Sequence, residues 1–246
     1  MQGQVPIDGR SVPARRVDTD ANGRFADLQD RIWLDLNKDG RWDAVTEQFA
    51  VRPILQLPRA RYAVAADLLG ESLAFKKLEG TGTFVLAAAG KAKNAHILDI
   101  TTSFVGRDGG AFALRGNTSE LTVPVGQYRI HSLVVRVRQH AASPPWEFVF
   151  TREGNRPIRW FDLKRDSRLE INPLDRLDLT IEGVDKTCRP GQSLSVQAQV
   201  YTGDGLSINA CTHIGGRSAG KDASQALTQL SSSTGNQLAS MTSGFA

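Results

Sequence analysis

Slid against itself by 17 residues, the N-terminal stretch of this chain repeats. Asp18-Thr-Asp20-Ala-Asn22-Gly23-Arg24-Phe25 aligns with Asp35-Leu-Asn37-Lys-Asp39-Gly40-Arg41-Trp42, and each copy is followed by a further carboxylate, Asp30 in the first and Glu47 in the second. So short a period leaves too little chain for a helix on both sides of each copy, since an ordinary helix alone takes about 11 residues. The repeat therefore reads as two polar loops set among strands.

Acids at positions one, three and five of a tight loop are what a hard cation needs, because calcium takes six to eight oxygens at short range. Asp18, Asp20 and Asn22 fill those positions in the first copy, and Asp35, Asn37 and Asp39 in the second. Gly23 and Gly40 at position six allow the sharp turn, and the backbone carbonyls of Arg24 and Arg41 at position seven are ligands whatever their side chains. An EF-hand loop closes with a bidentate Glu at position twelve. Here that slot holds Gln29 or Thr46, and the acid, Asp30 or Glu47, comes one residue later. Asp27 at position ten and Asp43 at position nine are further oxygen donors, direct or through water, while Phe25 and Trp42 at position eight anchor the loops to a core. The expected cofactor is Ca2+, held by Asp35, Asn37, Asp39, Arg41, Asp43 and Glu47 in one loop and by Asp18, Asp20, Asn22, Arg24, Asp27 and Asp30 in the other. Asx and Gly residues also build ordinary turns, and for either loop alone that reading stands beside metal binding.

Beyond Pro53 the chain breaks into short apolar segments bounded by Gly and polar turns, among them Arg61 to Ala66, Ser72 to Leu78, Gly82 to Ala87, His96 to Thr102 and Ala111 to Leu114. No window carries a sustained helical period, so the fold class is all-β: two β-sandwich-like modules preceded by the tandem loops. The expected domains are a loop segment over residues 1–50, a sandwich over 51–140, a second sandwich-like module over 146–214, and a low-complexity tail over 215–246 that is disordered or weakly helical. From Leu121 to Arg138 a strand, a Pro-Val-Gly turn and a long strand follow one another, and the apolar parity of the long strand flips near Ser132, which predicts a bulge or break there. In the second module Leu177, Leu179 and Ile181 alternate with Asp178, Thr180 and Glu182, and Leu194 to Val200 alternate likewise, each strand having one wet face.

Chemistry beyond the loops is sparse. Cys188 and Cys211 could bridge a hairpin or remain buried thiols. The net charge of +4 is mostly dispersed, except that Arg152, Arg156, Arg159, Lys164, Arg165 and Arg168 surround Trp160 and Phe161. That cluster is either a basic-aromatic patch for a polyanion or a solvated strand face with one aromatic turned inward. Gly215 to Lys221 satisfies the spacing of a phosphate-binding loop, but Asp222 stands where a magnesium-binding hydroxyl is required, so no nucleotide is expected. The four histidines are scattered, and Ser193 lacks a nucleophile-elbow context. With no complete catalytic constellation, the chain is expected not to be an enzyme. No apolar run is long enough to span a bilayer, and Met1-Gln2-Gly3-Gln4 opens without a leader, which leaves a cytoplasmic chain or a mature one.

The segment Asp35-Leu-Asn-Lys-Asp-Gly-Arg-Trp-Asp43 resembles the calcium loops of dockerins and of bacterial surface proteins with the same repeat. The helical spacing of dockerins is absent, so their cohesin partner is not implied. Leu121-Thr-Val-Pro-Val-Gly-Gln-Tyr-Arg-Ile130 resembles the Pro-x-Gly-x-Tyr turn of transthyretin-like, carboxypeptidase-regulatory β-sandwiches. Together these resemblances imply a planctomycete-like envelope protein in which calcium loops precede sandwich modules. The implied role is a calcium-stabilised structural or adhesive module, secreted, periplasmic or on the cell surface, where millimolar calcium fills weak sites. Its macromolecular partner would be a cell-surface polysaccharide or a protein, with nucleic acid not expected. The alternative is a carbohydrate-binding accessory module of a polysaccharide-degrading system, with Trp146, Trp160 or Tyr201 stacking on sugar.

Overall fold

A computed structural model describes residues 1–27, 29–88, 95–152, 156–182, 197–214 and 225–244, and among these every regular element is a strand. No helix among them is long and apolar enough to cross a membrane. Strands β1 (Gln2–Ile7), β2 (Arg10–Val17), β3 (Arg31–Leu34) and β4 (Gln48–Ala50) form one antiparallel sheet in chain order. A second such meander follows in β5 (Ile54–Gln56), β6 (Arg61–Ala66) and β7 (Leu73–Lys77). The middle of the chain supplies β8 (Thr81–Ala87), β9 (His96–Gly106), β10 (Ala111–Arg115), β11 (Thr118–Pro124), β12 (Gly126–Arg138) and β13 (Trp146–Thr151). Then come β14 (Phe161–Leu163), β15 (Arg168–Ile171), β16 (Leu177–Glu182), β17 (Gln197–Thr202), β18 (Ser207–His213), β19 (Gln225–Ser231) and β20 (Gln237–Gly244).

These strands sort into two compact units interleaved along the chain. The first comprises Met1–Ala87, Thr101–His131 and Arg159–Ile171; the second comprises Ala88–Ile100, Ser132–Ile158 and Asn172–Ala246. The parity flip read at Ser132, where a bulge or break is expected, is present without a break in the strand. Strand β12 runs through it unbroken, both Ser132 and Leu133 are buried, and the division between the units falls between His131 and Ser132.

In the first unit, period-two alternation places Val12 and Ala14 of β2, Ile32 and Leu34 of β3, and Tyr62, Val64 and Ala66 of β6 in one apolar core. Ile32 and Leu34 are wholly buried, and burial of each such side chain contributes about 1.5–3 kcal/mol. A further core is aromatic. Phe84 stacks on Phe104 at 5.2 Å between ring centroids, Phe104 stacks on Phe112 at 5.1 Å, and Tyr128 meets Phe84 edge-on at 5.4 Å. The Tyr128 hydroxyl donates to the Pro124 carbonyl at 2.7 Å, which closes the Pro124-Val-Gly-Gln-Tyr128 turn on itself. On the far edge of β8 from β11, β15 adds in parallel, with Arg168 opposite Thr83 and Ile171 opposite Leu86.

The second unit inverts the expectation for its alternating strands. Leu177, Leu179 and Ile181 of β16 are 51%, 67% and 46% exposed, whereas the polar face of β17 is covered, Gln199 and Tyr201 being buried. On that face the Arg156 guanidinium stands 3.9 Å over the Tyr201 ring and 3.8 Å from Asp178 Oδ2, while Gln199 donates to the Ile208 carbonyl at 2.8 Å. Buried polar groups are tolerated where they are paired, so this face can close on itself. Within residues 215–246, where composition predicts disorder or a weak helix, β19 and β20 form an antiparallel hairpin from Gln225↔Gly244 to Ser231↔Gln237. Its turn is held by Ser232, whose carbonyl accepts from Gly235 N–H at 2.9 Å and whose N–H reaches the Asn236 carbonyl at 2.8 Å. Cys188, Ser193 and the Gly215 to Asp222 segment lie outside the described residues.

Candidate metal centre

The 17-residue period resolves into a loop and a strand. Residues 18–30 join β2 to β3, β3 itself is four residues long, and residues 35–47 join β3 to β4. Strands β2, β3 and β4 are antiparallel neighbours, so the two loops lie at opposite ends of β3. The pairing of Val17 with Arg31 brings position one and position thirteen together as the residues flanking a strand pair. This explains the departure from the EF-hand: in a hairpin the closing acid must sit beside the first strand, at position thirteen, and not on an outgoing helix at twelve.

The two loops share a backbone. Position four is left-handed in both, Ala21 at φ 55° and Lys38 at φ 61°, as is position six, Gly23 at φ 78° and Gly40 at φ 74°. The position-six N–H donates to the position-one carboxylate in each, Gly23 to Asp18 at 2.8 Å and Gly40 to Asp35 at 3.1 Å. The position-seven N–H donates to position five, Arg24 to Asn22 Oδ1 at 2.7 Å and Arg41 to Asp39 Oδ1 at 2.8 Å. The position-two N–H donates to the closing acid, Thr19 to Asp30 at 3.1 Å and Leu36 to Glu47 at 2.9 Å. Each loop thus turns its acids inward by spending main-chain donors on them.

In the first loop Asp18, Asp20 and Asp30 each place one carboxylate oxygen within 4.8 Å of the others. Oxygens so spaced can all reach a single cation at the roughly 2.3–2.6 Å that calcium prefers, and the triad could hold a metal ion. Asp30 is fully buried, and its pKa is raised, first by burial and then by the charges of Asp27 and Asp20. For Asp18, partial burial acts upward, but hydrogen bonds, chief among those from the main chain the one from Gly23 N–H, hold the carboxyl below its ordinary range. The Asn22 amide nitrogen sits between Asp20, at 3.0 Å, and Asp27, at 2.6 Å, cross-linking two carboxylates much as a cation would.

In the second loop two acids are buried, where the first buries one. Asp35 and Glu47 are 3% and 2% exposed. Glu47 accepts from Leu36, from Asn37 at 3.3 Å and from Asp43 N–H at 3.2 Å, while the Asn37 amide reaches Asp39 at 3.2 Å. Asp35 Oδ2 takes the Gly40 bond, but Asp35 Oδ1 is buried with no hydrogen-bond partner. A buried carboxylate oxygen without a donor is costly, and a ligated cation is a standard way to satisfy it. Asp43 is committed differently: its Oδ1 accepts from Val45 at 2.7 Å and Thr46 at 3.1 Å, capping the turn into β4.

The anchors also differ. Phe25 lies against Gly70, where a Cβ would come within 2.8 Å of its ring, and its N–H donates to the Leu68 carbonyl at 2.8 Å. Beside it the buried Arg16 pairs with Asp67 at 2.7 Å and donates to the carbonyls of Phe25, Asp67 and Ser72. No motif marks Arg16, because a basic residue in a β2 core position carries no spacing signal. Trp42 is half-buried. Among the other histidines of interest, His131 is half-buried with its pKa lowered by burial and by Arg129 and Arg24, and His213 meets Trp146 edge-on at 4.8 Å. No protein-family model, curated protein or solved structure matches the chain.

Proposed function

We propose that this chain is a calcium-stabilised, non-enzymatic structural or adhesive module of the bacterial envelope or secreted fraction, with its two loops as the metal sites. The observation that carries the reading is the buried Asp35 Oδ1, which has no hydrogen-bond donor in a loop whose backbone duplicates that of the Asp18, Asp20 and Asp30 triad. The donor set is all oxygen, the chemistry of a hard cation, and the flexible six-to-eight coordination of calcium suits loops that mix carboxylates, amides and carbonyls better than the rigid octahedron of magnesium. Sites at the two ends of β3 would tie β2, β3 and β4 together, so binding would be felt as stability. Weak sites of this kind fill at extracellular calcium levels, which supports a location outside the cytoplasm.

Calorimetric titration and thermal melts test this. At calcium 100 times its dissociation constant, each site is expected to add about 2.7 kcal/mol. Asp35→Asn is expected to remove one site and Asp18→Asn the other, and magnesium at equal concentration is expected to give a smaller shift. Coincident melting curves in millimolar calcium and in chelator would overturn the reading.

A further inference from the structure

Of the three aromatic residues that could face a ligand, Tyr201 is buried under Arg156 and Trp146 is half-buried against His213, whereas Trp160 is 37% exposed. Strand pairing brings basic residues from other parts of the first unit onto it. Arg107, in the turn between β9 and β10, lies 4.8 Å from the indole centroid, and Arg129 of β12 lies 5.9 Å away. Arg107 is exposed and has no carboxylate partner among the described residues, so stacking on the indole holds a guanidinium fork ready for an anion.

Arg107 also forms one wall of a groove of about 390 Å³ within the same unit. Its floor is the outward face of β6 and β7, where Ala63 stands opposite Lys76 and Ala65 opposite Ala74. Three alanines leave a flat apolar strip, the shape that accepts the C–H face of a sugar ring. Both signs of charge line the strip: Lys76 is paired with Glu79 at 2.8 Å, Lys77 lies 3.8 Å from Asp8, and Asp108, bonded through one oxygen to Gly110 N–H, neighbours Arg107. Carboxylates that accept hydroxyl protons, beside cations that take a sparse negative charge, match a hydroxyl-rich acidic chain. They oppose a nucleic acid, whose phosphates would meet Glu79 and Asp108 at every register.

We propose that this groove binds an acidic oligosaccharide, with the sugar ring on the floor of Ala63, Ala65 and Ala74 and an acidic group on Arg107. The inference does not depend on metal in the loops, and the groove shares no residue with them. The test is calorimetry on the full chain, with chelator and with calcium, using a hyaluronan hexasaccharide as the acidic hexamer, with a carboxylate on every second sugar, and maltohexaose and a thymidylate hexamer as the other probes. The acidic hexamer is expected to bind in both buffers, and maltohexaose and the thymidylate at least about tenfold more weakly. Arg107→Gln is expected to weaken the acidic hexamer about tenfold, through loss of a charge-assisted contact. Ala74→Glu, at an exposed position outside the core, is expected to weaken it as much, with melting unchanged. Failure of the acidic hexamer to bind, equal binding of the thymidylate, or binding indifferent to both substitutions would overturn the proposal.

Discussion

In the loop from Asp18 to Asp30 the residues at positions one, three and thirteen are all carboxylates, whereas in the loop from Asp35 to Glu47 the middle one is the amide of Asn37. The left-handed turn and the main-chain bonds from positions two, six and seven are shared. The first loop therefore gathers mutually repelling acids, one of them buried, and is held down by Phe25 and Arg16. The second carries as many carboxylates, with the amide moved from position five to position three, and buries an unsatisfied oxygen. Spacing sets the shape of such a loop, and where its acids and amides fall decides whether the cost of being without a cation is repulsion or an orphaned acceptor.

The sharpest way to separate the loops is to remove the anchor that only the first possesses. Arg16→Met deletes a buried ion pair and the donors to three carbonyls, and is expected to lower stability by about 3 kcal/mol in urea denaturation. Calcium affinity should fall at the first loop and hold at the second. Equal losses at both would mean that β3 couples the loops mechanically.

A smaller effect separates them by charge. Burial and the neighbouring acids raise the pKa of Asp30 above that of the unfolded chain, so the folded state holds this proton more tightly. Without metal, that contribution is fully present below the ordinary carboxylate range and is lost as pH rises through the raised value. Asp67 runs the other way. Its burial is outweighed by bonds from Ser72, Arg16 and Glu71, its pKa is lowered, and its contribution is present above the ordinary range and lost as pH falls through the depressed value. In chelator at neutral pH, Asp30→Asn is therefore expected to raise the melting temperature and flatten its pH dependence. Glu47→Gln, which weakens three bonds from main-chain donors, is expected to lower it. Stabilisation by both would erase the distinction.

The smallest expected effect tests the shared backbone itself. Ala21 and Lys38 both adopt left-handed φ, at a cost of about 1 kcal/mol that glycine avoids. Because glycine also loses more chain entropy, Ala21→Gly and Lys38→Gly are each expected to gain under about 1 kcal/mol, and by equal amounts. A gain at one position alone would show that the two turns differ in solution.

What could be read from the sequence was local. The loops, the closing acids one residue late and most strands follow from spacing, because turn chemistry and alternation act over a few neighbours. Alternation gives a strand its period but not its inward side, which is why Leu177, Leu179 and Ile181 face solvent while Gln199 does not. Arg16 in the core, Arg107 on Trp160 and β15 beside β8 depend on pairings between distant segments, and no spacing rule encodes those.

That last pairing sets an order of events. A hairpin can form as soon as its two strands exist, but a parallel partner arriving from far along the chain requires a large loop to close first, and such contacts form slowly. During synthesis, β8 would pair with β11 and then wait, one edge bare, until residues 168–171 had been made. An unpaired edge invites association with other chains, so the interval before β15 arrives leaves β8 open to misassembly. A fragment ending before Arg168 would keep both acidic loops and still carry that open edge permanently.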